Sequence, residues 1–172
     1  DAPIIICSDS ASREVSLADW HSFYLGKGVL DYAIFIGGGV GTLSDETLTA
    51  RSYFTDMMES CRNGPGYIIG NYFGNSWHEC VAPFSDSLEK YVIHIEYNLF
   101  NNSLDNSHGI GVGVDMPTTI KNNVFINSTI AFGPQFLNGN SNGRNLIFTN
   151  NAYYFNNKPV IIIEDSGFVP AE

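Results

Sequence analysis

The chain has 172 residues, 44% of them apolar and only 15% charged, so it holds enough apolar surface for one domain with a sizeable core. Its 18 acids against 8 bases give a formal charge of −10, and no basic stripe is present to displace counterions from a nucleic acid. No apolar run approaches the roughly 18 residues of a membrane helix, and Cys7, Cys61 and Cys80 are too few for a disulfide scaffold and lack zinc spacing.

Residues 1–31 hold the apolar run Ile4–Ile6 and a Trp20-His21 pair, and otherwise show little regularity. From Tyr32 the pattern tightens into a strand at Tyr32–Ile36, a turn at Gly37–Gly41, a strand at Thr47–Thr49 and another at Tyr53-Phe54. The glycine run lacks the following Lys-Ser/Thr of a phosphate loop. Leu43–Arg62 is the best helical candidate, but its apolar positions form no steady 3.6-residue stripe. Further β-branched and aromatic runs follow at Tyr91–Ile95, Gly109–Val114, Asn145–Phe148 and Val160–Ile163, each bounded by Gly, Pro, Asn or Ser.

Asparagine carries the organising signal. There are 18, none before Asn63. Ile68–Ser76, Ile95–Ser103 and Ile120–Ser128 share the pattern I-x-x-N-x-(aromatic)-x-N-S. Phe148–Phe155 is a degenerate copy, and Thr49–Asp56 is a weaker one in which Ser52 and Asp56 replace the asparagines. The shared aromatics Phe54, Phe73, Phe100, Phe125 and Tyr153 are 19, 27, 25 and 28 residues apart. Such a period with three short strands implies a solenoid whose equivalent residues stack about 4.8 Å apart. Stacked amides satisfy one another, which accounts for Asn71, Asn98, Asn123 and Asn151, and the aromatic two residues on stacks in the core.

These repeats, with the G-I-x-V-x-V run at Gly109–Val114, resemble the right-handed parallel β-helix of the pectate-lyase-like superfamily. The segment Asp165–Glu172 resembles a motif found late in secreted bacterial β-helix proteins and breaks off before its end. The resemblance covers Tyr32 to Glu172. It implies an all-β, right-handed parallel β-helix solenoid of about six coils over 32–172, with 1–31 as an N-terminal cap or irregular first coil. It also implies an extracellular or secreted setting, a virion or cell surface being one such setting. Six coils are few for the enzymes of the superfamily. The chain is therefore expected to be part of a longer protein or to self-associate through open solenoid ends.

Members of this superfamily include polysaccharide lyases, glycoside hydrolases and non-catalytic adhesins and tailspikes, so the fold leaves activity open. Five residues past successive key aromatics lie Glu59, His78 and Asp105, in the loop that borders the substrate groove in this superfamily. They are the catalytic candidates, two carboxylates and an imidazole for acid/base work on a polysaccharide. The alternative is a solvated loop of ordinary polar residues. Trp77 is either a sugar platform or a lid on the core edge, with Glu79 and Arg51 as further carbohydrate-binding candidates. Seven residues past the aromatics lie Cys61 and Cys80, which stack as a disulfide or as two buried thiols. No cofactor is expected. Ca²⁺ is the one ion to consider, with Asp105 and Asp115 as ligands, but there is no D-x-D cluster. The functional expectation is an extracellular module that binds or cleaves a polysaccharide, with a structural filament or adhesin subunit as the rival.

Overall fold

The computed structural model describes residues 2–7, 22–37, 39–42, 46–56, 61–63, 66–76, 79–83, 92–101, 108–112, 118–132, 146–154 and 161–163. Within them lie twenty short strands, numbered in chain order, and no helix. They form three parallel sheets. The first contains β1 (Ile4–Cys7), β4 (Ala33–Ile36), β7 (Tyr53–Thr55), β10 (Tyr72–Phe73), β13 (Leu99–Asn101), β16 (Val124–Ile126) and β19 (Ala152–Tyr154). The second contains β2 (Ser22–Leu25), β5 (Gly39–Thr42), β8 (Cys61–Asn63), β11 (Glu79–Pro83), β14 (His108–Val112), β17 (Ile130–Phe132) and β20 (Ile161–Ile163). The third contains β3 (Gly28–Asp31), β6 (Thr47–Ala50), β9 (Gly66–Ile69), β12 (Ile93–Glu96), β15 (Thr118–Lys121) and β18 (Leu146–Thr149).

The chain visits the sheets in strict rotation, and each strand from β1 to β17 bonds to the strand three places later. That is the order of a winding chain, consistent with a parallel β-solenoid, and no sheet closes into a barrel. Two expectations change. Gly39–Gly41, expected in a turn, lies in β5, because its backbone pairs with both β2 and β8. The run Leu43–Arg62 contains β6, β7 and the start of β8 where it is described, because alternation outweighs a helical stripe that was never steady.

Side chains alternate across each sheet. On the first sheet Phe35, Phe54, Phe73, Phe100 and Phe125 point inward and are fully buried. With Tyr153 they form one column, successive ring centroids 4.9–5.1 Å apart and nearly parallel. Burying each phenylalanine contributes roughly 1.5–3 kcal/mol. Tyr153 breaks the uniformity. Its hydroxyl is buried with no partner, and burial pushes its pKa up to about 12. The inner column of the third sheet is Leu30, Thr49, Ile68, Ile95, Ile120 and Phe148.

The bend from third sheet to first sheet fixes the register. Its first residue has a left-handed backbone in every cycle: Tyr32, Arg51, Gly70, Tyr97, Asn122 and Asn150, with φ between 44° and 68°. Five of these six donate their N–H to the carbonyl just before the next bend, as Arg51 does to Ile69 and Gly70 to Glu96. The second bend residue turns inward. The N–H groups of Ser52, Asn71, Asn98 and Asn123 donate to the Oδ1 of the asparagine one cycle on, at 2.9–3.0 Å. Each asparagine Nδ2 donates back to a carbonyl of the preceding cycle, as Asn98 does to Ile68 at 2.9 Å. The bend amides would otherwise be buried donors without acceptors, a cost of roughly 1–3 kcal/mol each.

Candidate functional site

Glu59, Trp77, His78 and Asp105 lie outside the described residues. The strands they lead into, however, are neighbours: β8, β11 and β14 are consecutive in the second sheet. The polar residues that follow are described. Glu79 opens β11, His108 opens β14, and the two are register partners. Both are partly exposed. The Ser76 hydroxyl donates to the Glu79 carbonyl at 2.7 Å, which ties the start of β11 to the segment that follows β10.

The course of the Glu79 side chain is marked by a glycine. A Cβ placed on Gly111 would sit 2.3 Å from Glu79 Cγ and 2.6 Å from Oε1. The carboxylate arm therefore lies against the Gly111 backbone in the next strand, a close approach that only glycine allows. Gly109 is tight as well, since its Cβ would meet Ser128 at 3.3 Å and the Phe125 ring at 3.4 Å. The alternating glycines of this strand thus make room for a core ring at Gly109 and for Glu79 at Gly111. A carboxylate and an imidazole set on adjacent strands can share the work of accepting and donating a proton.

The two cysteines do not share a register position. Cys61 is aligned with Val81, one residue beyond Cys80. Cys80 is buried as a thiol, with its Sγ 3.4 Å from the Gly74 carbonyl. Arg51 lies away from the second sheet, on the bend between third and first sheets. It forms a two-pronged ion pair with Asp31 of the preceding cycle, Nε to Oδ1 at 2.8 Å and Nη2 to Oδ2. The hydrogen bond to Arg51 holds the Asp31 carboxyl below its usual range and the same bond raises the Arg51 guanidinium.

A second polar cluster was not foreseen from sequence. On the outer face of the third sheet His94 Nδ1 lies 3.3 Å from Glu96 Oε1, with both side chains partly covered. Tyr67 stacks on the imidazole, centroids 4.6 Å apart and 8° from parallel. Lys121 is the register partner of Glu96 and forms no ion pair with a described residue. The sequence signal for it is the alternating His94-Ile95-Glu96 triplet, whose outward residues lie outside the fixed positions of the I-x-x-N-x-(aromatic) pattern set by Ile95 and Asn98. Among the described residues no group of three or more His, Cys, Asp or Glu is placed to hold a metal ion, and no helix is long and apolar enough to cross a membrane.

No protein-family model, no curated protein and no solved structure matches the chain.

Proposed function

We propose that the three sheets are the faces of one right-handed parallel β-helix of about six coils, of the pectate-lyase-like kind, and that it binds or cleaves an extracellular polysaccharide. The right hand follows from the preference of parallel β crossovers. The observation that carries the functional reading is the pairing of Glu79 with His108, on strands that follow Trp77-His78 and Asp105 in the chain. Glu59, His78 and Asp105 then act as acid and base on a glycosidic bond. One group protonates the leaving oxygen while another removes a proton from water or from the sugar. Glu79 and Trp77 orient the sugar, and no metal takes part. Incubation with a panel of polysaccharides tests this, with new reducing ends or absorbance from unsaturated uronate as the readout. Glu59→Gln should remove most of the activity. No product from any polymer defeats the catalytic form of the proposal, and undiminished activity in Glu59→Gln defeats the residue assignment.

A structural subunit that assembles with its own kind is the second reading. One observation favours it: the outer face of the first sheet carries an apolar row, Ile5, Ile34, Tyr53, Tyr72, Leu99, Val124 and Ala152. Light scattering that climbs with protein concentration, without polysaccharide turnover, would favour this reading over the first.

A further inference from the structure

The exposed column on the third-to-first bend has one gap. Going from cycle to cycle it reads Tyr32, Arg51, Gly70, Tyr97, Asn122, Asn150. A Cβ on Gly70 would meet nothing within 4 Å. Arg51 and Tyr97 stand one strand away on either side, so the opening between them spans two strand spacings, about 10 Å. Its floor is rigid: the Arg51 N–H bonds to Ile69, the Gly70 N–H to Glu96 and the Tyr97 N–H to Lys121. The buried amide column runs directly beneath it, through Asn71 and Asn98.

Both walls are set for a ligand. Asp31 holds two of the guanidinium donors of Arg51, which fixes the plane of the group and leaves its other N–H groups for a guest. Tyr97 is 59% exposed and stacks on no other ring among the described residues. Its φ of 57° is costly for a bulky side chain, yet the ring is held out into solvent at this bend. By contrast, the Tyr53, Tyr72 and Tyr67 rings stack face to face with a neighbouring ring, which covers one face of each.

We propose that the Gly70 notch is a saccharide subsite, with one pyranose ring lying against the Tyr97 face and its hydroxyls accepting from Arg51. The polymer is neutral. The chain carries a charge of −10 and the one guanidinium at the notch is already paired with Asp31, so an acidic polymer meets net repulsion. This rests on the polysaccharide reading above and names a binding subsite distinct from the second-sheet edge.

The discriminating variant is Gly70→Asn. Asparagine already occupies the same bend position at Asn122 and Asn150, with φ of 56° and 54°, so the fold should accept it while the notch fills. Affinity electrophoresis of the full chain in gels containing hydroxyethylcellulose, galactomannan or polygalacturonate gives the readout. Wild type should be retarded by a neutral polymer. Gly70→Asn and Tyr97→Ala should each weaken that retardation about tenfold or more, and Asn150→Gly should not. If wild type is retarded and Gly70→Asn is retarded equally, the notch is overturned and the polysaccharide reading stands. If only polygalacturonate retards the protein, the neutral assignment is overturned. If no polymer retards wild type, the notch and the polysaccharide reading fall together.

Discussion

Tyr97 and Asn98 are adjacent in the chain and obey opposite rules. Asn98 belongs to an inward column in which the residue barely changes, Ser52, Asn71, Asn98, Asn123 and Asn151, because each amide completes the hydrogen bonds of the one before. Tyr97 belongs to an outward column where no two consecutive members match until Asn122 and Asn150. Only the sign of φ is held constant there. The inner column is constrained by mutual satisfaction and so specifies the fold. The outer column is constrained by backbone shape alone, which leaves its side chains available for recognition.

Substitutions separate the two columns by size of effect. The largest loss is expected from Phe100→Ala, deep on the inner side. It empties the space between Phe73 and Phe125 and should cost about 3–5 kcal/mol in denaturant unfolding. Asn98→Ala should cost about 2–4 kcal/mol by the same measurement, since it strands the Asn71 N–H and the Ile68 carbonyl. A loss below 1 kcal/mol would mean that the amide column does not hold the bend.

Tyr153→Phe tests the one imperfect member of the ring column. Removing an orphaned hydroxyl should stabilise by about 1 kcal/mol. The Tyr153 pKa is raised by burial from its ordinary 10.0 to about 12, so its contribution is whole below pH 10 and is lost as pH rises through 12. Phenolate absorbance should show one late-titrating tyrosine fewer in the variant than in wild type, with the raised Tyr53 present in both. On the outer column Tyr97→Asn should raise stability by about 0.5 kcal/mol, because asparagine tolerates a positive φ better than tyrosine does. The smallest effect belongs to Arg51→Ala. Asp31 titrates below 3.8 in the folded protein, so its contribution is present above that pH and fades as pH falls through the lower folded value. The carboxyl carbon shift of Asp31 should titrate at a higher pH in the variant, with little change in melting because the pair is exposed.

The inner columns were legible because each bend has a fixed length of two residues, so I-x-x-N-x-F recurs without drift. Phe35 escaped notice because its copy carries Ala33 where the others carry Ser or Asn. The Ala33 N–H donates to the Ser52 hydroxyl oxygen instead of to an asparagine Oδ1. The second sheet was harder to read. Its register positions Cys61, Val81, Ile110 and Ile130 follow their aromatics by 7, 8, 10 and 5 residues. Corners there are loops of unequal length, which cost little to vary. Counting forward from an aromatic therefore misaligned Cys61 with Cys80 and did not find His108 beside Glu79. The Gly70 notch was invisible for a different reason: a missing side chain has no signature until its two neighbours in the column are known.

The two-residue bend also sets how such a molecule can change in length. Asn98 and Asn123 are 25 residues apart and meet only through the hydrogen bonds that every neighbouring pair makes. A stretch running from one bend to the next can thus be spliced out, or a copy inserted, with each cut end finding a matching amide. The sheets would then lengthen or shorten in steps of one strand spacing, with the bend unchanged.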